Sequence, residues 1–330
     1  MVTVKEMAKM IDHSILHPAF TDYDLEKDFE SVELDKKLSA MKTKFFFLIL
    51  VICISLSNTI AQTENTALVL QEMTWVDVEA YLENNDMVII PLGSTEQHGP
   101  HLPLGTDYYE AFEISKSISQ QTGILVAPTL FVGYSIYHSG FPGTLSLKPE
   151  TMEQVLFETA EVLISYGFSK FLFFNYHGGN NIVQDRVIHR INHTTEAVAI
   201  AIGVGSELQS SGNGDFDWHA GIKETSIMLY LKPDLVKMER AEKPEITFTP
   251  EMKKLKSLSE KNPELILVRQ TLFGVPADTK KGGASHELSS NGVWSDYDPK
   301  SATKEIGQKN VNQMVEKAVK LIKVWKLAEN

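Results

Sequence analysis

Short apolar runs alternate with stretches of helical periodicity along the chain from residue 87 onward. The apolar runs predict buried strands at 87–92, 124–127, 171–174 and 197–204. Helical spacing predicts helices at 108–121, 151–166, 181–193 and, near the end, 301–326. Such alternation is typical of a largely parallel sheet covered by helices on both faces, so the sequence predicts an α/β fold. In these sheets the functional groups gather at the carboxyl ends of the strands.

Charge and cysteine content limit the chemistry and the partners. The chain of 330 residues has 31 Lys and Arg against 43 Asp and Glu, a net charge of −12, which argues against nucleic acid as a partner. Its one cysteine, Cys53, lies in a segment that we expect to be removed, so nitrogen and oxygen atoms must carry the chemistry. A segment rich in Lys, Glu and Pro, 240–281, is interpreted as a surface excursion or a partner-contacting loop.

The chain has an export signal pattern inside its first 62 residues. Basic residues from Met41 precede an apolar run at 45–57, and the small residue Ala61 follows. A helix of that run is about 20 Å long, short of the roughly 30 Å hydrocarbon core of a bilayer. We therefore predict a cleaved signal peptide at 41–61, a mature domain at 62–330 without a permanent membrane span, and a periplasmic or secreted location. A buried core helix is the alternative.

Residues 1–40 need a separate explanation, because a signal peptide begins at the initiator methionine. The stretch 10–18 resembles the start of deoxyribose-phosphate aldolases, over about thirty residues. A barrel enzyme cannot fit in forty residues. We interpret this piece as an upstream remnant or a misassigned start, without aldolase activity.

The first chemical motif follows the strand predicted at 87–92. In an extended segment the side chains of Glu96 and His98 point the same way, whereas Gln97 points elsewhere. Glycines and prolines then turn the chain, so that Asp107 can return to the same place at the start of a helix. Polar residues on a surface loop are the alternative interpretation.

Two further motifs contain histidines next to predicted elements. His177 leaves an apolar strand just before a Gly-Gly turn, where a satisfied core histidine is the alternative. His219 and Glu224 would lie about 140° apart on a continuous helix. If both serve one site, His219 must precede the helix and Glu224 must lie in its first turn.

Charge repulsion connects these motifs to metal binding. Glu96, Asp107 and Glu224 within about 4 Å of one another would repel by about 4 kcal/mol per pair at an effective dielectric of 20. Two divalent cations would turn this charge of −3 into +1, and a bridging hydroxide would bring it to zero. Neutral His98 and His177 complete a set of N and O ligands suited to Zn, Mn or Fe.

The three motifs closely resemble those of the creatininase (creatinine amidohydrolase) family, over roughly residues 70–325. The resemblance rests on the segment from Glu96 to Asp107, on Asn-x-His177-Gly-Gly-Asn and on His219-Ala-Gly-x-x-Glu224-Thr-Ser. The segments 134–138, 141–144 and 292–307 also match the family. It implies a three-layer α/β/α sandwich with a mostly parallel central sheet, a binuclear metal site, hydrolysis of non-peptide or unusual C–N amide bonds, and a homo-oligomer, commonly a hexamer.

The resemblance also implies roles for individual residues. Glu96, Asp107 and His177 would hold one metal, and His98, Asp107 and a further acid the other. The family's position for that acid is Gly179 here, so we assign Glu224 as the replacement. Trp218 does not match the tryptophans that surround the family's substrate, so we do not expect creatinine as the substrate. His219 would shuttle a proton to the leaving nitrogen. Three further residues are weaker candidates for substrate contact: Ser135, His138 and Trp218.

The expected function is hydrolysis of a cyclic amide, formamide or related small molecule by a hydroxide that bridges two divalent metals. An exported metal-containing binding protein is one alternative, but it would have little need of a proton shuttle. A mononuclear metallohydrolase is the other.

Overall fold

The computed structural model describes residues 66–202, 216–275 and 280–328, all within one compact unit. The predictions for residues 1–40 and for the signal peptide at 41–61 lie outside the described residues. So do the last residues of the strand predicted at 197–204. None of the helices in the described ranges is long and apolar enough to cross a membrane.

Four parallel strands form the central sheet: β1 Met87–Leu92, β2 Leu125–Val126, β3 Lys170–Asn175 and β4 Val198–Ala201. Their order is β2-β1-β3-β4, and β1 pairs with β3 in register from Met87 with Lys170 to Leu92 with Asn175. All six residues of β1 are buried. A strand buried on both faces needs a continuous apolar run, which the sequence Met-Val-Ile-Ile-Pro-Leu provides.

The described residues contain nine α-helices. They are α1 Trp75–Leu82, α2 Thr106–Thr122, α3 Pro149–Tyr166, α4 Asn181–Thr194, α5 Ile222–Leu231, α6 Pro250–Ser259, α7 Leu265–Gln270, α8 Ser285–Leu288 and α9 Lys304–Leu327. A small antiparallel sheet joins β5 Asp217–His219 to β6 Trp294–Ser295. Short 3₁₀ turns cover Ile136–His138 and Gly178–Asn180.

Alternation along the strands divides the core into two apolar layers. Val88 and Phe171 face one side of the sheet, where they pack with residues of α3 and α4 such as Leu156 and Val187. Ile89 and Leu172 face the other side, where α2, α5 and α9 cover them. This arrangement confirms the three-layer α/β/α sandwich with a mostly parallel central sheet.

Segment 240–281 contains more regular structure than the loop we expected from its composition. Thr249 caps α6 by accepting a hydrogen bond from the backbone N–H of Met252, and Pro250 takes the first helical position. Met252 is fully buried against an aromatic cluster that includes Phe216 and Trp294. The Lys and Glu residues of α6 lie on its outer face, which is why composition alone favoured a surface excursion.

Candidate metal centre and cavity

The predicted site residues lie at the carboxyl ends of β1 and β3, which are neighbours in the sheet. Glu96 and His98 follow β1, and His177 follows β3. Asp107 lies in the first turn of α2, so the chain returns to the strand end as the motif predicts. All four side chains are buried. The carboxyl edge of the sheet is therefore where the first two motifs meet.

One group of potential ligands consists of Glu96, Asp107 and His177, whose ligand atoms all lie within 4.8 Å of one another. His177 Nε2 is 3.2 Å from Glu96 Oε2, and its Nδ1 is 3.2 Å from Asp107 Oδ2. The two ring nitrogens thus face two different carboxylates.

A second group lies on the other side of Asp107. His98 Nε2 is 3.2 Å from Asp107 Oδ1 and 3.7 Å from Glu224 Oε2. The ligand atoms of His98, His219 and Glu224 also lie within 4.8 Å of one another. Asp107 therefore lies between the two groups, with one oxygen facing each.

The third motif has the geometry that its spacing predicts. His219 ends β5, α5 begins at Ile222, and Glu224 lies in the first turn of α5. Asp217 fixes this turn, because its carboxylate accepts hydrogen bonds from the backbone N–H groups of Ile222 and Lys223. The N–H of Ala220 donates to Glu224 Oε2, which orients that carboxylate toward His98.

The electrostatics of this edge indicate a place for positive charge. Burial opposes ionisation of Glu96, but His138 and His177 hold its pKa well below the usual value. Burial also opposes a charge on His98, yet Asp107 and Glu224 raise its pKa to about 9. Burial raises the pKa of Glu224 to about 7. In the described residues the ion-pair partners of these acids are all histidines.

Buried polar atoms without hydrogen-bond partners also indicate a place for positive charge. Glu96 Oε1, Asp107 Oδ2 and both carboxyl oxygens of Glu110 are buried without a hydrogen bond in the structure. A divalent cation would satisfy such oxygens while leaving the histidines neutral. The N and O donors of this site therefore fit a metal centre of the Zn, Mn or Fe type.

His219 and His138 lie side by side above Glu96, with ring centroids 4.2 Å apart. His219 Nε2 donates to the backbone carbonyl of Gln97 at 2.6 Å, which leaves Nδ1 as the proton acceptor, 3.6 Å from Glu96 Oε1. Burial, together with His138 and His98, holds the pKa of His219 well below its usual value. A neutral imidazole with a free acceptor nitrogen suits a group that takes up and releases a proton.

The weaker candidates have different positions. His138 lines the cavity and places Nε2 3.3 Å from Glu96 Oε1. Trp218 also lines the cavity and packs edge-on against Phe273. Ser135 is fully buried and does not line the cavity; its hydroxyl is 3.2 Å from His177 Nε2. Ser135 is thus placed to orient a candidate ligand, and its contact with substrate stays a prediction.

Sequence reasoning missed several residues of the site. Gln97 points away from Glu96 and His98 as expected, but its side-chain amide donates to His138 Nδ1 at 2.9 Å and to the carbonyl of Gly292 at 3.0 Å. Tyr137 and Trp294 line the cavity and stack with ring centroids 6.0 Å apart. Both aromatics lie inside segments that resemble the family, 134–138 and 292–307, but the resemblance alone assigns them no role. Glu110 could have been found, because it shares a helical face with Asp107.

A cavity of about 570 Å³ opens above the candidate ligands. Aromatic side chains form much of its wall: Tyr137, Tyr176, Trp218 and Trp294. Leu267, Gln270 and Thr271 contribute from the end of α7 and the turn after it. A mainly aromatic wall over a charged floor is a common form of small-molecule site.

Comparison with known proteins agrees with this geometry. The family profile Creatininase, described as creatinine amidohydrolase, matches residues 71–322. The chain is 36% identical over 163 residues to a mycofactocin precursor peptide peptidase of Mycolicibacterium smegmatis, covering 45% of this chain and 59% of that protein. It is 31% identical over 202 residues to a creatinine amidohydrolase of Pseudomonas putida, covering 54% of this chain and 78% of that protein.

Solved structures match over a larger share of the chain. A mutant creatininase of the Zn-Zn type superposes with a TM-score of 0.59 at 25% identity, covering 78% of this chain and 97% of that chain. A creatininase described with Mn superposes with a TM-score of 0.58 at 23% identity and the same coverage. These neighbours are metal-bound.

The chain spans 59% of the Mycolicibacterium peptidase and 60% of a 3-dehydro-scyllo-inosose hydrolase of Thermotoga maritima, to which it is 30% identical over 187 residues. The relatives thus carry different activities. The profile match covers the sheet, the carboxyl-edge motifs and the closing helix α9. The chain therefore belongs to the creatininase family.

Proposed function

We propose that this protein is a metal-dependent hydrolase that cleaves a C–N amide bond in a small molecule, with two divalent ions bound at the carboxyl edge of the sheet. The observation that carries this proposal is Asp107, whose two oxygens face His98 on one side and His177 on the other. A carboxylate between two groups of ligands is suited to bridging two cations. Glu96 with His177 would hold one ion, and His98 with Glu224 the other.

Two bound divalent ions would supply a bridging hydroxide near neutral pH and would polarise the carbonyl of the substrate. His219 accepts a proton at Nδ1 and returns it to the leaving nitrogen, since its Nε2 is occupied by the carbonyl of Gln97. His138 places Nε2 3.3 Å from Glu96 Oε1 and packs beside that carboxylate. The aromatic wall excludes water and orients the substrate over these groups.

The cavity argues for a substrate larger than a single small ring. Pockets of about 300–1,000 Å³ bury drug-sized ligands, and the volume here lies inside that range. The relatives include a peptidase, an inosose hydrolase and a creatinine amidohydrolase. This supports a shared hydrolytic chemistry in which different cavity walls select different substrates. Cyclic amides and formamides that carry a ring or a short side chain are the substrates we propose.

A substrate panel tests the reaction. Purified protein should hydrolyse at least one cyclic amide, formamide or short peptide, lose that activity after chelator treatment, and regain it with Mn²⁺ or Zn²⁺. Saturable binding of panel members without turnover under every metal condition would contradict the hydrolase and favour the binding protein. Activity that is fully restored by one ion per chain would favour the mononuclear hydrolase.

We further propose an exported, homo-oligomeric protein. Export follows from the signal pattern at 41–61, and N-terminal sequencing of the native protein tests it: a mature terminus upstream of Met41 would contradict it. Exposed apolar residues on α3, including Val155, Val162 and Tyr166, support self-association. Light scattering that gives a monomer at all concentrations would contradict the oligomer.

A further inference from the structure

Glu110 is a buried acid of α2 that none of the sequence motifs includes. It lies one turn after Asp107, and its side chain is fully buried. Neither of its carboxyl oxygens has a hydrogen-bond partner in the structure. We propose that Glu110 is an additional ligand of the metal held by His98, Asp107 and Glu224, and that it makes this position select Mn²⁺ over Zn²⁺. This inference rests on the proposed function.

The geometry groups Glu110 with two of the candidate ligands. Ligand atoms of Asp107, Glu110 and Glu224 all lie within 4.8 Å of one another. Residues three apart on a helix share a face, so Asp107 and Glu110 point together toward the start of α5, where Glu224 lies. Three carboxylates from two packed helices therefore converge, and two of them, those of Asp107 and Glu224, also face His98.

Few groups around Glu110 compensate the negative charge of its buried carboxylate. Burial raises its pKa well above the usual value, and the carboxylates of Glu224 and Asp107 raise it further. Lys223 acts in the opposite direction but is outweighed. The hydroxyl of Tyr176 is also buried without a hydrogen bond and is affected electrostatically by Glu110. A cation at this point would turn an uncompensated acid into a ligand.

The other side of the site has no room for an acid. A Cβ at Gly179 would lie 2.2 Å from the carbonyl oxygen of Tyr134 and 2.5 Å from His177 Nε2. The acids of the second metal must therefore come from α2 and α5. Counting Glu110, four carboxylates carry −4, which two divalent cations balance before any hydroxide binds.

The donor set decides the preferred metal. With Glu110, the position would offer one imidazole and three carboxylates instead of one imidazole and two. Carboxylate-rich sites suit Mn²⁺, whereas imidazole-rich tetrahedral sites suit Zn²⁺. The neighbouring position, with Glu96, Asp107 and His177, keeps fewer oxygens and should discriminate less.

Competitive metal loading of the full chain tests the proposal. Wild-type protein, Glu110→Gln and Glu113→Gln are freed of metal, equilibrated with equal Mn²⁺ and Zn²⁺, and measured by elemental analysis. The matched control, Glu113, lies on the same helix but pairs with Lys116 and Lys232 outside the cluster. We expect wild type and Glu113→Gln to bind Mn²⁺ at one position. Glu110→Gln should bind Mn²⁺ about 10- to 100-fold more weakly at that position, which is the usual loss of metal affinity when a residue beside a metal is altered.

Thermal melting of metal-free protein separates ligation from a structural role. Removing an uncompensated acid should leave the melting temperature of metal-free Glu110→Gln equal to or above that of wild type, while its increase on adding Mn²⁺ becomes smaller. A lower metal-free melting temperature with an unchanged Mn²⁺ response would overturn the inference. So would two ions per chain with an unchanged Mn²⁺ to Zn²⁺ ratio in Glu110→Gln.

A second measurement uses wild type alone and holds even if the variant fails to fold. Crystals soaked in Mn²⁺ should show anomalous density within bonding distance of a Glu110 oxygen. Two Mn²⁺ peaks, neither bonded to Glu110, would overturn this inference and leave the proposed function intact. Wild type that binds no divalent ion would instead defeat the proposed function itself.

Discussion

The two ends of the central strands both contain buried or partly buried acids, but they compensate them differently. At the amino end, just before β1, Asp86 accepts hydrogen bonds from the ammonium of Lys170 and the hydroxyl of Ser169. At the carboxyl end, the ion-pair partners of Glu96, Asp107 and Glu224 among the described residues are all histidines. Asp86 thus has a cationic side chain as a partner, whereas the acids at the carboxyl end have only histidines among the described residues.

This difference between the two ends of the strands indicates where functional sites form in such a sheet. A lysine or serine next to an acid makes an edge that is stable without a ligand. Several acids with only histidines around them are suited to binding a metal ion, and that binding stabilises the folded site. Variants at the two ends should therefore behave differently when metal is removed.

The largest effect is expected at the shared carboxylate. Asp107→Ala should lose both metals and more than about 100-fold of the activity, because even residues that only orient metal ligands are worth 10–100-fold. Elemental analysis and turnover measured on the same preparation check this. Retention of two ions per chain with near-normal turnover would remove Asp107 from the site.

A smaller effect is expected from the proton shuttle. His219→Ala should lower kcat by about 10²–10⁴-fold, the usual contribution of general acid–base catalysis, and should leave metal content unchanged. Steady-state kinetics with parallel metal analysis separate the two properties. Unchanged kcat would refute the shuttle, and loss of one metal would instead make His219 a ligand.

The apolar part of the cavity wall at the same end should affect binding alone. Leu267 lines the cavity and is 54% exposed, so Leu267→Ala should raise KM about 3- to 10-fold without affecting folding or kcat, given about 1 kcal/mol for lost apolar contact. Val268→Ala, on the adjacent exposed residue, is the matched control. Equal KM values for the two variants would place the substrate elsewhere.

The smallest effect is expected at the amino end. Burial opposes the charge on Asp86, but Lys170 and Ser169 lower its pKa below the usual 3.8. When folding lowers the pKa of a carboxyl group, its charged form stabilises the fold at pH values above the unfolded-state pKa. That contribution is lost as the pH falls through the folded-state pKa. Asp86→Asn should therefore cost about 1 kcal/mol or less at pH 7, since its side chain is 38% exposed, and almost nothing in strong acid. Denaturant unfolding of metal-free and metal-loaded protein checks this, and a cost that depends on metal would contradict the separation of the two ends.

Much of the fold and of the metal centre could be predicted because the signals are local. The run Met87–Leu92 fixes a buried strand, and the spacing of Glu96 and His98 fixes which side chains converge. The wall could not be predicted in this way. Trp294 lies on a two-residue strand whose partner, β5, is about 75 residues earlier in the chain, so only the folded chain brings it to the cavity. Glu110 gave a weak signal, its helical spacing from Asp107, which the motif search did not use.

The number of divalent metal ions per chain is the most direct test of the bridging role proposed for Asp107. Protein purified without chelator should contain about two divalent ions per chain by elemental analysis, and both should be lost from Asp107→Ala. A value near one would remove the bridge through Asp107 but keep a metallohydrolase. No bound metal, even after reconstitution with Zn²⁺ and Mn²⁺, would contradict the claim that the acids at the carboxyl edge of the sheet exist to hold cations.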